Sequence, residues 1–137
     1  MKSKKGFTLI ELLAVIVILA VLATAAFTLV IPQIEKARKK SFISEAASII
    51  DSAEIYFTQN PAETCVKIET LGNTYIKNYD DSKKGIVQYS SSAGFSINFT
   101  NGTWKTNGTK KINELKQPNG DPNDSNVIKG NTAATSC

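Results

Sequence analysis

Gly6-Phe7-Thr8-Leu9-Ile10-Glu11 follows the basic leader MKSKK, and Glu11 is the only formally charged residue between Phe7 and Ile31. An ionised acid in hydrocarbon costs about 3 kcal/mol on insertion scales, so a segment that keeps one keeps it for a partner. Few other residues offer chemistry. Histidine is absent, which removes the commonest general base and metal ligand. Cys65 and Cys137 are the two cysteines, and without histidine they cannot complete a four-ligand zinc site unaided. No glycine-rich phosphate loop or nucleophile elbow occurs. Asp80-Asp81 beside Lys83-Lys84 reads as solvated turn charge. No catalytic residues, no metal and no cofactor are expected.

The element that carries Glu11 is long and greasy. Its other polar residues are Thr8, Thr24 and Thr28. About 25 apolar residues make a helix of roughly 37 Å, enough to cross a hydrocarbon core of about 30 Å. Beyond Ile31 the pattern becomes amphipathic: Phe42, Ala46, Ile49, Ala53 and Tyr56/Phe57 recur at spacings of three and four. One helix is therefore predicted from Phe7 to about Gln59. Pro32 removes a backbone donor inside it, and Asn60-Pro61 ends it.

After a connecting stretch with a weak helical pattern (Ile68, Leu71, Tyr75, Ile76, interrupted by Gly72), the period becomes two. Ile86, Val87 and Tyr89 predict one strand. Phe95, Ile97 and Phe99 alternate with Ser96, Asn98 and Thr100 in a second. Asn101-Gly102 predicts a two-residue hairpin turn into Thr103–Thr106, and Asn107-Gly108 a further turn. The aromatic strand residues with Trp104 read as a face packed on the helix rather than a strip for nucleic acid. Asn98, Asn101 and Asn107 open Asn-x-Thr sequons but read as strand and turn chemistry. The last 21 residues are nearly all turn formers and small polar residues that alone would not order.

The chain of 137 residues carries a formal charge of +4, and its basic residues cluster at Lys2, Lys4, Lys5 and at Lys36, Arg38, Lys39, Lys40, where membrane-proximal charge usually sits. The second cluster reads either as a solvated run or as a partner for Glu45, Asp51 or Glu54 of neighbouring copies. Two cysteines beyond a membrane segment suggest an oxidising compartment. A Cys65–Cys137 bridge would close a loop of about 73 residues, worth roughly 4–5 kcal/mol in the chain-entropy account. Free thiols or a bridge between subunits are the alternatives.

Two plainer readings of the N-terminus are a secretory signal, for which Ala23-Thr24-Ala25 offers a cut site, and a simple anchor. The apolar run continues past that site, and neither reading uses Glu11. The stretch KKGFTLIELLAVIVILAVLATAAF, a short basic leader, Gly, Phe, three residues, Glu and about twenty apolar residues, resembles the leader and N-terminal helix of type IV pilins and pseudopilins. The short leader and the lysine-rich, histidine-free domain resemble pilins of Gram-positive bacteria, clostridial ones especially.

That resemblance implies an α+β fold, with a long N-terminal helix on a small antiparallel sheet in a lollipop outline. It implies residues 1–6 as a cleaved leader, 7–31 as a transmembrane and fibre-core helix, 32–60 as an amphipathic helix and 61–137 as the globular head. A prepilin peptidase would cut between Gly6 and Phe7 and N-methylate Phe7. Glu11 would then pair with the Phe7 amine of a neighbouring subunit. The implied partners are copies of the chain itself, the peptidase, an assembly ATPase, a platform membrane protein and the membrane before assembly; nucleic acid is not expected. The N-terminus would be cytoplasmic, and the product an extracellular fibre for adhesion, motility or biofilm formation. A pseudopilin of a type II secretion or DNA-uptake system, and a membrane-anchored binding protein that never polymerises, are the alternatives. The family's helix-breaking proline would fall at Thr28; here Pro32 lies one turn later, and any loosening during assembly is expected between them.

Overall fold

The computed structural model describes residues 6–137; the rest of the leader lies outside them. The fold is α+β: a helix α1 (Leu9–Gln59) and a five-stranded antiparallel sheet. The chain divides into two units, one ending at Glu35 and one running from Lys36 to Cys137.

The first unit is apolar helix. Its side chains face outward all round, from Phe7 at 89% exposure to Ile31 at 59%. Thr24 and Thr28 satisfy their hydroxyls on the carbonyls of Val21 and Ala25, as hydroxyls in a dry helix must. α1 is continuous through Pro32, although proline offers no N–H to the carbonyl of Thr28.

In the second unit one face of α1 is buried: Phe42, Ile43, Ala46, Ile49, Ile50, Ala53 and Phe57. The three-and-four spacing puts them on a single stripe, and burying each large one contributes about 1.5–3 kcal/mol. Asn60 closes the helix by donating both its backbone N–H and Nδ2 to the Tyr56 carbonyl, and Pro61 cannot continue it.

The sheet is a meander in the order β1 (Cys65–Lys67), β2 (Lys84–Ser90), β3 (Gly94–Thr100), β4 (Trp104–Thr106), β5 (Val127–Lys129). Val66, Val87 and Ile97 stand in one cross-strand row, all buried. Next to it Phe99 stacks on Phe42 at 5.0 Å between ring centres, and Phe95 lies 6.1 Å from Phe57. The predicted strand alternation therefore does place its aromatic face against the helix. Gly85, opposite Phe99, is the one strand position where a side chain would run into the neighbouring Asn98 carbonyl.

Several local expectations are corrected. Thr100 pairs with Lys105 and Asn101 N–H donates to the Trp104 carbonyl, so Asn101-Gly102 belongs to a three-residue connection, Asn101–Thr103, and is not itself a two-residue turn. Only Gly102 takes positive φ there (84°), whereas the two-residue turn needs it at both positions. Asn101 instead uses its Oδ1 to accept from the N–H groups of Thr103 and Trp104. Asn107-Gly108 does not reverse the chain: it bulges, and Lys110 returns to exchange two 2.8 Å hydrogen bonds with Ile97. Thr100 does not face water. It is buried, and its hydroxyl donates towards the carbonyls of Trp104 and Gly130.

β1, the short helix α2 (Ile68–Tyr75, broken at Gly72 with φ 43°), a 3-10 turn at Ile112–Leu115 and β5 complete the unit. Leu115 and Val127 are fully buried, so the turn-rich tail is held by two apolar anchors. From β5 at one edge the chain crosses the other face of the sheet. Ala134 N donates to Asn98 Oδ1 in β3, and Cys137 is disulfide-bonded to Cys65 in β1 at the opposite edge. Ile86, the row partner of Asn98, is only 4% exposed although it lies outside the main core.

Candidate functional site

Thr8 precedes the first helical residue, and Glu11 sits in the first turn. Glu11 Oε2 accepts from the Thr8 N–H at 2.8 Å and from the Thr8 hydroxyl at 2.8 Å, while Thr8 Oγ1 accepts from Glu11 N–H at 3.3 Å. This is a reciprocal cap of the form T-x-x-E, and it places a negative group at the positive end of the helix dipole. Sequence reasoning gave Glu11 only an external partner and gave Thr8 no part. The spacing Thr8-x-x-Glu11 was the available signal. Glu11 Oε1 has no partner among the described residues, so one carboxylate oxygen caps the chain and the other is left over.

Gly6 and Phe7 precede the helix. A methyl group added at Gly6 would meet nothing within 4 Å, so the fold itself makes no demand for glycine there. α1 is long and apolar enough to cross a membrane by length and composition.

The polar residues of the second unit are placed differently from the sequence expectation. Lys36 and Lys40 both reach Asp121, at 2.7 and 3.2 Å, and Lys39 pairs with Asp124. Within the chain the lysine cluster is thus paired with the tail rather than left as a solvated run. The Lys36 and Lys40 ammonium groups, as hydrogen-bond donors, hold the Asp121 carboxyl below its ordinary value. Glu45 accepts from Lys83 at 3.1 Å and from Asn101 Nδ2 at 3.0 Å. Lys83, expected in solvated turn charge, is 9% exposed and also donates to the Asn78 carbonyl at 2.6 Å. Its neighbour Asp80 is held low chiefly by the Ser82 hydroxyl and N–H. The periodicity of the loop could not signal this, because Glu45, the partner that draws Lys83 inward, lies on α1, distant in sequence.

The sequon asparagines are all used internally: Asn98 accepts from Ala134, Asn101 shapes its turn, and Asn107 donates to the Ser125 carbonyl at 3.0 Å. Trp104 is 5% exposed, with the Lys39 and Lys129 ammonium groups over its ring at 5.2 and 5.7 Å. Among the described residues no group of three or more His, Cys, Asp or Glu side chains is arranged to hold a metal ion.

No curated protein and no solved structure matches this chain. A family model does match its N-terminus. Residues 1–27 match the prokaryotic N-terminal methylation motif, which spans the leader, Gly6, Phe7, the Thr8–Glu11 cap and most of the apolar run; the motif indicates a type IV pilin-like protein and implies processing by a prepilin peptidase.

Proposed function

We propose that the chain is the structural subunit of a type IV pilus, polymerising through residues 7–31 into a surface fibre that supports adhesion, surface motility or biofilm formation. The observation that carries this reading is the uncommitted Oε1 of Glu11, four residues after the exposed Phe7. Cleavage after Gly6 would turn the Phe7 nitrogen into an ammonium group without removing the anchor. Two charges would then sit in lipid, each costly alone. Pairing the ammonium of one subunit with Glu11 of the next removes both, and since breaking one partner of a buried pair costs about 3–5 kcal/mol, the pair fixes stagger between subunits.

Gly6 fits as a recognition position for the peptidase, since beyond its chain neighbours no described residue lies within 4 Å of where a side chain would start. Methylation of Phe7 keeps the positive charge the pairing needs. A platform membrane protein and an assembly ATPase would extract the subunit. Thr28 to Pro32, where the helix lacks one backbone bond, is the stretch that would loosen on the way.

Mass spectrometry of the native chain tests the processing step: a mature chain beginning at methylated Phe7 is expected, and one beginning at Met1 or after Ala25 overturns it. Electron microscopy of material sheared from cells then separates fibre subunit from monomeric anchor.

A further inference from the structure

The ion pairs of the basic segment of α1 leave one of its cations over. Within the basic segment Lys36–Lys40 the lysines are taken by Asp121 and Asp124, while exposed Arg38 has no ion pair or hydrogen bond among the described residues. Further along α1 the carboxylate of exposed Glu54 is equally unpaired. It borders a cleft of about 330 Å³ whose lining includes Phe57, Tyr89, Phe95 and Glu63.

The cleft suits a cation. Tyr89 and Phe95 lie 4.9 Å apart, ring centre to ring centre, with Phe57 6.1 Å from Phe95. Tyr89 keeps 41% of its surface exposed. Glu63 accepts from the Tyr56 hydroxyl at 2.9 Å and leaves Glu54 as the carboxylate to be neutralised. A guanidinium fits best, because it stacks on ring faces and presents two parallel N–H groups to one carboxylate.

Arg38 and Glu54 are sixteen residues apart on α1, which is about 24 Å along the axis and about 160° around it. Two complementary patches on opposite sides of one helix cannot both be met by the same neighbour. Such a head-to-tail contact leaves each end open and propagates as a filament. We propose that the Glu54–Phe57–Tyr89–Phe95 cleft is the docking site for Arg38 of a second copy, displaced by that axial distance. The proposal rests on the fibre-subunit reading.

The test uses the full chain in cells that carry the assembly machinery, with sheared fibre measured by immunoblot and microscopy. Arg38→Glu and Glu54→Arg should each lower fibre yield at least about tenfold, since truncating or reversing a desolvated charge pair acts strongly on dissociation. The double reversal should restore most of it. Single reversals that assemble like the parent, or a folded double variant no better than the singles, overturn the docking site. Should the reversals disturb folding, the double variant Arg38→Cys/Glu54→Cys decides: a bifunctional thiol cross-linker as long as an arginine–glutamate pair, needed because such a pair holds its Cα atoms beyond disulfide reach, should give a ladder of covalent multimers from fibres, and its absence overturns the proposal. Parent cells without any fibre would instead sink the fibre-subunit reading itself.

Discussion

The Thr8 hydroxyl and the Glu11 carboxylate hydrogen-bond to each other at 2.8 Å across the first turn of the helix they begin. The acid thus has a local use before any neighbour arrives, and the two uses can be separated by substitution. Glu11→Gln keeps a side chain that can close the cap but removes the charge. It is expected to insert in the membrane at parent level and to yield far fewer fibres. Thr8→Val keeps the charge and loses the cap, at about 1 kcal/mol of helix stability, and should lower yield less. Comparing membrane-fraction and sheared-fibre amounts for both variants checks this. Parental fibre from Glu11→Gln would mean that capping, not charge pairing, is the reason for the acid.

The Cys65–Cys137 bond ties one edge of the sheet to a segment that starts at the other, over a sequence separation of 72. Between those ends the tail is held at Gly130, whose N–H donates to the Thr103 carbonyl at 3.0 Å, and at Ala134. Opening the bond restores the conformational freedom of that loop to the unfolded chain, about 4 kcal/mol in the chain-entropy account. Cys137→Ser should therefore lower the denaturant midpoint of the full chain in detergent by a matching amount. Reductant should do the same to the parent and nothing to the variant. A midpoint that ignores both changes would show that Leu115 and Val127 alone secure the tail.

Lys83 presents a sharper contrast with its neighbour. It is nearly covered and meets Glu45 and the Asn78 carbonyl, whereas Lys84 is exposed. Lys83→Ala leaves the half-buried Glu45 carboxylate with Asn101 as its one remaining donor and takes a donor from the Asn78 carbonyl, which costs about 1–3 kcal/mol. Lys84→Ala should stay within about 0.5 kcal/mol of the parent. Thermal unfolding of the two variants side by side reads the difference, and equal melting temperatures would contradict the assigned network.

How much of this was legible in the sequence follows from the range over which each signal acts. Phe42, Ala46, Ile49 and Ala53 announce their helix because each sits one turn from the next, and Phe95, Ile97 and Phe99 announce β3 because a strand repeats every second residue. Val66 in β1 and Val127 in β5 belong to three-residue strands, too short to show a period. Their places come from partners twenty residues or more away. The two-residue turn at Asn101-Gly102 was misread because the Asn101 amide had a better use, bridging its own turn to Glu45 on the helix. The intrachain partner of Lys36 and Lys40 gave no signal either, because Asp121 lies in a tail with no pattern of its own. At the N-terminus everything is local, and there the spacing of Gly6, Phe7 and Glu11 sufficed to find the motif, with Thr8 overlooked only because it resembled an ordinary polar interruption.

Asp121 also sets a pH dependence whose sign can be worked out. The Lys36 ammonium, then that of Lys40, holds its carboxyl below the ordinary range in the folded chain. A depressed folded pKa means that the contribution is present above the unfolded value, near 4, and is lost as pH falls through the folded one. The pair is exposed, so salt should weaken it as well. Below about pH 4 the segment around Asp121 should let go of α1 while the core of Phe42, Phe99 and Ile97 holds. Hydrogen exchange of the Gln117 and Gly120 amides, bonded at 2.6 and 2.8 Å to the carbonyls of Asp121 and Gln117, reports it. Asp80 titrates in the same window, held low by Ser82, so Asp121→Asn at neutral pH supplies the separation: it should show the exchange that acid produces in the parent. If those amides stay equally protected in the variant and in acid, the lysines of α1 do not hold the tail, and Lys36 and Lys40 return to being candidates for contacts with neighbouring subunits.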